Sequence, residues 1–265
     1  MYKTVYLGYS EKMLEELVKS DAFEILLAIG TKGRVTDEYY ELIEKYGLKY
    51  VEIESKMELM ENFHFIDEAD LAIMRRFEFI IPEEEVNKNR IINFHGGDLR
   101  KNRGAHSVVW SILLQEPETC LSCYQLTGGI DEGELIDAYY IDILKNDNVF
   151  AVNEKLEKGI PHLLDSLKQY LAGERKPQLI TGGEYRRKIQ RRDYMIDLYN
   201  DSLDLIRAKI LSQQTYAGAI VMLGRDEYRV KNYENFYDDQ QQRKVMIHEK
   251  FVEVCDKGER LNIYL

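Results

Sequence analysis

The sequence predicts an α/β protein with a doubly wound, mostly parallel sheet, followed by a small β-rich subdomain in the C-terminal part. Short apolar strands alternate with amphipathic helices through the first third of the chain, which is the pattern of parallel sheets covered by helices. Continuous apolar runs such as Glu24 to Ile29 are typical of strands buried on both faces. The final fifth of the chain contains only short strand-like pieces, so we expect a separate β subdomain there.

The first half opens with a strand from Lys3 to Leu7, and Ser10 is placed to cap the helix that follows. This opening lacks a full G-x-G-x-x-G, so it gives no support for a dinucleotide site. The other strands predicted in this half are Phe23 to Ile29, Tyr50 to Glu54, Asp70 to Met74 and Arg90 to His95. The helices predicted here are Glu11 to Lys19, Asp37 to Tyr46, Lys56 to Phe63 and His106 to Leu114.

In the second half, a long helix is predicted from Asn153 to Leu171, and Pro161 bends or divides it. The predicted strands are Cys120 to Leu126, Glu134 to Ile141, Gly218 to Leu223, Glu227 to Tyr233, Arg243 to Val254 and Arg260 to Tyr264. A further helix is predicted from Arg192 to Ile210, with its core positions at Met195, Leu198, Leu203, Ile206 and Ile210. We therefore expect a catalytic domain over residues 1–180 and a helix with a small β subdomain over residues 181–265.

Composition excludes several classes of function. The 265 residues carry a formal net charge of -11, whereas a protein that holds a large polyanion usually has a basic surface, so nucleic acid is not the expected partner. No apolar run approaches the ~20 residues of a membrane helix. The three cysteines fit a reducing cytoplasm. Cys120 and Cys123 form a C-x-x-C, but no second pair completes a metal site, so we interpret them as core residues and expect no metal.

Three polar residues are candidates for catalysis. Asn93 and His95 are two apart at the predicted end of a strand, so they project to the same face. The carboxyl ends of parallel strands are where open α/β sheets bind ligands. An amide there can donate to a developing oxyanion, and an imidazole can do the same or move a proton. Asp131 lies in a glycine-flanked loop, where its carboxylate could orient the histidine or accept a proton from an amine.

Each signal is generic when taken alone. An isolated Asn-x-His is seldom catalytic, Asp-x-Gly is usually an ordinary turn, and the stretch from Arg100 to Arg103 would be a solvated basic loop. The order and spacing of the signals make them specific. They are Asn93-Phe-His95, then Arg103-Gly104, then a helix with Trp110, and then Asp131-Glu-Gly133.

This arrangement resembles the formyltransferases that use 10-formyltetrahydrofolate, whose shared pattern is N-x-H, a loop ending in R-G, and D-x-G. The family includes methionyl-tRNA, glycinamide ribonucleotide and sugar-nucleotide formyltransferases. The resemblance implies a Rossmann-like formyltransferase fold and a catalytic triad of Asn93, His95 and Asp131. The family's usual H-P-S-x-L-P is replaced here by the stretch from His95 to Arg100, which leaves the triad intact.

The resemblance also implies which residues bind the two substrates. The 10-formyltetrahydrofolate co-substrate would be held by the segments before N-x-H and before the aspartate, namely Met74, Arg75, Arg76, Phe77, Phe79, Ile80, Leu126, Gly128, Gly129 and Ile130. For any one of Phe77, Phe79 and Ile80, a role in the core is about as well supported. The acceptor would be held by the loop after the histidine, namely Gly96, Gly97, Arg100, Lys101, Arg103 and Gly104.

A nucleotide-linked amino sugar is the preferred acceptor. The stretches Tyr185 to Asp197, Ile206 to Ala208 and Tyr216 to Ala219 are similar to the sugar-nucleotide branch, although Ala217 replaces its proline. The departures from the usual dTDP-sugar pattern favour another nucleotide sugar, and a UDP-linked amino sugar of a pseudaminic-acid-type flagellar pathway is one candidate; surface polysaccharide biosynthesis is the other setting expected. Three alternatives stay open: a carrier-bound aminoacyl acceptor, methionyl-tRNA, and a non-catalytic binding module. We expect a cytoplasmic protein without nucleic-acid or membrane partners, and a homodimer is compatible with the sequence.

Overall fold

The computed structural model describes the whole chain, Met1 to Leu265. It divides into two compact units. The first comprises Met1–Arg103, Cys120–Tyr140 and Lys155–Tyr185, and the second comprises Gly104–Thr119, Ile141–Glu154 and Arg186–Leu265. Each unit is therefore formed by three separate stretches of the chain. The predicted domain boundary at residue 180 stays a prediction.

Seven strands form the main sheet of the protein. They are β1 (Tyr2–Gly8), β2 (Phe23–Thr31), β3 (Tyr50–Ile53), β4 (Leu71–Arg75), β5 (Ile91–His95), β7 (Glu118–Gln125) and β8 (Glu134–Asp142). The short strand β6 (Arg103–Gly104) follows β5 in the chain and is not part of this sheet. The spatial order is β3-β2-β1-β4-β5-β7-β8. Strands β1 to β5 pair in parallel, whereas β7 runs antiparallel to β5. The predicted mostly parallel α/β sheet is confirmed, and its strand order reverses between β1 and β4, a topological switch point.

The helices follow the predicted alternation closely. They are α1 (Glu11–Lys19), α2 (Asp37–Tyr46), α3 (Lys56–Glu61), α4 (His64–Asp67), α5 (Glu83–Lys88), α6 (Ser107–Leu113), α7 (Val149–Glu157), α8 (Ile160–Leu171) and α9 (Leu203–Gln213). Ser10 caps α1 as expected, because its side chain accepts from the backbone N–H of Met13 at 3.2 Å. The predicted long helix is divided, since α7 ends before Gly159 and Pro161 lies in the first turn of α8. No helix of the protein has the length and apolar character needed to span a membrane.

The β-rich C-terminal region is confirmed. Its strands, with the short β9 and β10 before it, are β9 (Tyr185–Arg186), β10 (Met195–Ile196), β11 (Ala219–Leu223), β12 (Asp226–Val230), β13 (Tyr233–Tyr237), β14 (Lys244–Ile247), β15 (Phe251–Asp256) and β16 (Glu259–Tyr264). Antiparallel pairing gives a four-stranded sheet of order β13-β16-β15-β14. The single strand predicted from Arg243 to Val254 is instead two strands of a hairpin, because the polar residues 248–250 form its turn.

The helix predicted from Arg192 to Ile210 was wrong over its first half. This stretch contains a 3-10 turn at Arg191–Asp193, then β10, and α9 begins only at Leu203. Side-chain hydrogen bonds to the backbone explain the late start. Asp197 accepts from the N–H groups of Tyr199 and Asn200, which favours a turn, and Ser202 then caps α9 by accepting from Leu205.

Candidate active site

The three predicted catalytic side chains meet at the carboxyl end of β5. Asn93 and His95 lie on the same face of this strand, as their spacing predicts. Asp131 lies in the loop between β7 and β8, and its Oδ2 is 3.4 Å from Nδ1 of His95. The His95 and Asp131 side chains are each only 10% exposed. The cluster lies entirely within the first compact unit.

The His95 ring has an acceptor on each side. Its Nε2 lies 2.8 Å from the carbonyl oxygen of Asn102, which can only accept, so this nitrogen carries a proton and donates. Its Nδ1 faces the Asp131 carboxylate. A ring held in this way at the end of β5 is placed to stabilise negative charge that develops on a neighbouring substrate oxygen.

The backbone of the Asp131 loop depends on Gly133. A Cβ atom on Gly133 would lie 1.8 Å from the carbonyl oxygen of Gln125, so only glycine lets the chain pass this close to β7. Asp131 itself has φ of 51°, a left-handed conformation that aspartate tolerates better than most residues. The D-x-G spacing therefore has a structural basis, since the glycine brings the loop back over the sheet and the aspartate turns towards His95.

Tyr124 is a member of the cluster that sequence reasoning missed. It lies on β7 directly opposite Asn93 in the antiparallel ladder, and it is fully buried. Its hydroxyl accepts from Nδ2 of Asn93 at 2.8 Å and donates to Oδ1 of Asp131 at 2.5 Å. The antiparallel pairing of β5 with β7 is the signal that would have found it, because opposed residues share a face.

The loop after His95 is held by Asp98. Asp98 is buried; its Oδ1 accepts from the Arg100 backbone N–H at 2.9 Å, and its Oδ2 accepts from the Tyr140 hydroxyl at 3.3 Å. Its carbonyl oxygen accepts from the N–H of Asn102 at 2.8 Å. The turn built on Asp98 therefore positions the Asn102 carbonyl to which His95 donates.

This arrangement predicts that Asp98→Ala lowers stability and turnover together. The substitution removes the acceptor of the Tyr140 hydroxyl and the Arg100 N–H, and each lost hydrogen bond lowers the free energy of unfolding by about 0.5–1.5 kcal/mol. It also loosens the turn that presents the Asn102 carbonyl, so we expect a smaller kcat. Thermal unfolding and single-substrate kinetics measure the two effects. Asp98→Asn keeps one acceptor oxygen and should show smaller changes; equal kcat in all three proteins would contradict this role of the turn.

The predicted acceptor-side residues have different environments. Gly96 and Gly97 are buried, while Arg100 and Lys101 are exposed. Arg103 is also buried, and its guanidinium donates to the carbonyl oxygens of Leu99 and Ile180 at 2.7 and 3.3 Å and lies 3.5 Å from the Glu132 carboxylate. The Arg103 side chain thus stabilises the loops around the triad. Gly104 falls in the second unit and has φ of 90°.

The two segments predicted to hold folate lie together. Phe77, Phe79 and Leu126 pack against the same apolar core, and a Cβ on Gly128 would meet the Glu83 carboxyl at 2.8 Å, so these segments are adjacent. The structure leaves Ile80 69% exposed, and Ile130 is exposed as well. The remaining members of the set are buried Met74 and Arg75, half-buried Arg76 and Gly129, and exposed Gly128.

The Arg75 side chain is buried and makes its hydrogen bonds within the protein. It is 3% exposed, and its guanidinium donates to Glu157 on α7 at 2.8 Å and to the carbonyl oxygen of Phe94 at 3.3 Å. Arg76 lies 3.2 Å from the same carboxylate. The predicted role of Arg75 in binding folate stays a prediction, and its guanidinium is already paired within the protein.

Comparison with known proteins finds a family match for the part of the chain that contains the cluster. A family model described as formyl transferase matches residues 38–164, a range that contains Asn93, His95, Tyr124 and Asp131. We call this stretch the formyl transferase domain, after the family that it matches. The match agrees with the N-x-H and D-x-G pattern from which the family was predicted, and that prediction is confirmed.

The relatives of the formyl transferase domain carry different names. The chain is 29% identical over 230 residues to a methionyl-tRNA formyltransferase of Prochlorococcus marinus, covering 75% of this chain and 67% of that protein. An N-formyltransferase from Helicobacter canadensis, solved with folinic acid and dTDP-3-aminofucose, superposes with a TM-score of 0.75 at 15% identity over 100% of this chain and 99% of that one. HypX from Aquifex aeolicus has a TM-score of 0.69 at 15% identity, and the match covers 99% of this chain but only 45% of HypX.

The cysteines of the formyl transferase domain are core residues in the structure. Cys120 and Cys123 are buried, unpaired thiols on β7. Burial raises the pKa of the Cys120 thiol to about 12 and raises the pKa of Cys123 well above its ordinary range. Such thiols stay protonated at neutral pH and are poor nucleophiles. No group of three or more His, Cys, Asp or Glu side chains in the protein is arranged to hold a metal ion.

Proposed function

We propose that this chain transfers a formyl group from 10-formyltetrahydrofolate to the primary amine of a nucleotide-linked amino-deoxy sugar. The observation that carries the proposal is the convergence of Asn93, His95 and Asp131 in one buried cluster of a formyl transferase domain. An amide, an imidazole and a carboxylate at a strand end provide the groups that acyl transfer to an amine requires.

The reaction begins with attack by the neutral amine on the formyl carbon. A carbon–nitrogen bond forms, and the carbonyl electron pair moves to oxygen, where the Asn93 N–H and the His95 ring stabilise the charge. Asp131 accepts the proton that the amine loses. The tetrahedral intermediate then collapses, the bond to N10 of the folate breaks, and a proton returned through His95 or water leaves tetrahydrofolate and the N-formyl product.

The folate segments support this co-substrate by their chemistry. The adjacent strand end and loop combine exposed apolar side chains, Ile80 and Ile130, with glycines that leave backbone groups accessible. The pterin ring of a folate is flat and apolar on its faces and carries hydrogen-bonding groups along its edges, so it suits such a surface. The complexes of the Helicobacter canadensis enzyme with folinic acid give the proposal a precedent in the same fold.

The acceptor assignment rests on the likeness of fold as well as on charge. The fold of that same enzyme, solved with dTDP-3-aminofucose, extends over the whole chain, including the β-rich C-terminal region. The net charge of -11 disfavours a large nucleic acid. A nucleotide diphosphate needs only a few cations, for which the exposed Arg100 and Lys101 are candidates. The altered loop after His95 leads us to favour a nucleotide sugar other than the usual dTDP-sugar, with a UDP-linked amino sugar as one candidate.

Methionyl-tRNA is the second candidate acceptor, because the curated relatives carry that name. One experiment separates the two. The protein is incubated with 10-formyltetrahydrofolate and, in parallel, with a panel of UDP- and dTDP-linked amino sugars, with methionyl-tRNA and with an aminoacyl carrier protein. We expect a mass gain of one CO unit on an amino sugar only. Formylation of methionyl-tRNA alone would replace the sugar assignment, and no transfer to any acceptor would favour a non-catalytic binding module.

A further inference from the structure

The hydroxyl of Tyr124 stands between two of the proposed catalytic groups. Tyr124 is fully buried on β7, and its hydroxyl contacts Asn93 and Asp131. A buried hydroxyl must have partners, because an unsatisfied one costs about 1–3 kcal/mol. Both of its partners here are members of the proposed triad, which is more than core packing requires.

The direction of these hydrogen bonds follows from the donors available. Burial raises the pKa of Tyr124 well above its ordinary value, so the phenol keeps its proton. Oδ1 of Asp131 lies 2.5 Å away and accepts this hydrogen bond, so the phenol proton points to Asp131. The phenol oxygen can then only accept from Asn93, whose NH₂ group must face it.

This fixes the orientation of the Asn93 side chain. An amide has two nearly isosteric orientations, and only one of them presents its NH₂ group to Tyr124. One N–H is used by Tyr124, and the second N–H on the same nitrogen stays available for the oxyanion. In the flipped orientation, the amide oxygen would face the phenol oxygen and would repel the developing negative charge.

We infer that Tyr124 is a positioning residue that sets the amide orientation of Asn93 and anchors one oxygen of Asp131, leaving the second oxygen to His95 and the incoming amine. The chain Asn93 N–H to Tyr124 O–H to Asp131 carboxylate is thus a directed hydrogen-bond relay that organises the proposed site before substrate binds. This inference rests on the proposed formyl transfer for its kinetic consequences, but the geometry it describes does not need turnover.

Tyr124→Phe tests the inference, because it removes the hydroxyl and keeps the ring in the core. We expect kcat to fall roughly 10- to 100-fold, since two groups lose their shared partner, while the KM values for both substrates change little. The matched control is Tyr170→Phe, which removes a hydroxyl that donates to Gln125 at 2.5 Å on the same strand but touches no triad member. A Tyr124→Phe protein with wild-type kcat, or with a raised KM and unchanged kcat, would overturn the inference.

Two further measurements separate positioning from general damage. In an Asn93→Ala background, Tyr124→Phe should cost less than it does alone, because part of its effect acts through Asn93; full additivity contradicts this. The ¹⁵N-labelled side-chain amide of Asn93 should show protection from hydrogen exchange that Tyr124→Phe removes and Tyr170→Phe does not. If the wild-type protein formylates no acceptor, the proposed function fails, while the amide signal still decides whether Tyr124 orients Asn93.

Discussion

Replacing His95 with alanine is expected to lower kcat by about 100- to 1,000-fold, the range measured for removal of one oxyanion donor. His95 is held from both sides, by the Asn102 carbonyl at 2.8 Å and the Asp131 carboxylate at 3.4 Å. No other imidazole lies in the cluster to replace it. Because the ring would act on the charge that develops during attack, the substitution should change kcat more than KM. Steady-state kinetics with the accepted amine and 10-formyltetrahydrofolate measure both.

His162 provides a matched control for this experiment. It is also paired with a carboxylate, with its Nε2 3.2 Å from Oδ2 of Asp137, but its side chain on α8 is 56% exposed and lies outside the cluster. We expect His162→Ala to retain wild-type kcat. A His95→Ala protein that retained wild-type turnover on the accepted amine would show the proposed mechanism to be wrong.

The fold was predictable wherever local pattern determines structure. Alternating apolar strands and amphipathic helices gave the parallel part of the sheet and the position of Asn93 and His95 at a strand end. The helix predicted from Arg192 to Ile210 was wrong over its first half, because polar side chains there hydrogen-bond to backbone N–H groups that a helix would use. The polar residues Asp197 and Ser202 use their oxygens to cap backbone N–H groups, so an apolar pattern that reads as one helix becomes a turn, a short strand and α9.

The site was predictable to the extent that it is local. Asp131 was placed with the strand-end pair only through the family pattern, because its contact with His95 depends on the course of a distant loop. Tyr124 required knowledge that β7 pairs antiparallel with β5, which no local periodicity encodes. Arg75 shows the same limit. It was predicted to bind folate, but its guanidinium is paired with Glu157, 82 residues away in the chain.

Glu157→Ala is expected to lower the free energy of unfolding by about 3–5 kcal/mol, the range observed when one partner of a buried ion pair is removed. The Glu157 carboxylate accepts from Arg75 at 2.8 Å and from the Ser10 hydroxyl at 2.7 Å, and it lies 3.2 Å from Arg76. Without it, the Arg75 charge stays buried and loses its counter-ion. Replacing Glu157 and Arg75 together by methionine removes both charges, so this double variant should be more stable than Glu157→Ala. Chemical denaturation measures all three proteins, and equal stability of Glu157→Ala and the wild type would contradict the assignment.

The contribution of Glu157 should also depend on pH with a defined sign. Burial alone would raise the pKa of this carboxyl, but the charges of Arg75 and Arg76, with the hydrogen bonds from Ser10 and Arg75, hold it below the ordinary value of 4.5. A carboxyl with a lowered pKa in the folded state stabilises the protein above its unfolded pKa and loses that effect as the pH falls through the folded one. The stability difference between the wild type and Glu157→Gln should therefore be constant near neutrality and shrink below pH 4.5. A difference that grew on acidification would mean that the carboxyl is protonated in the folded protein and that Arg75 is held by other groups.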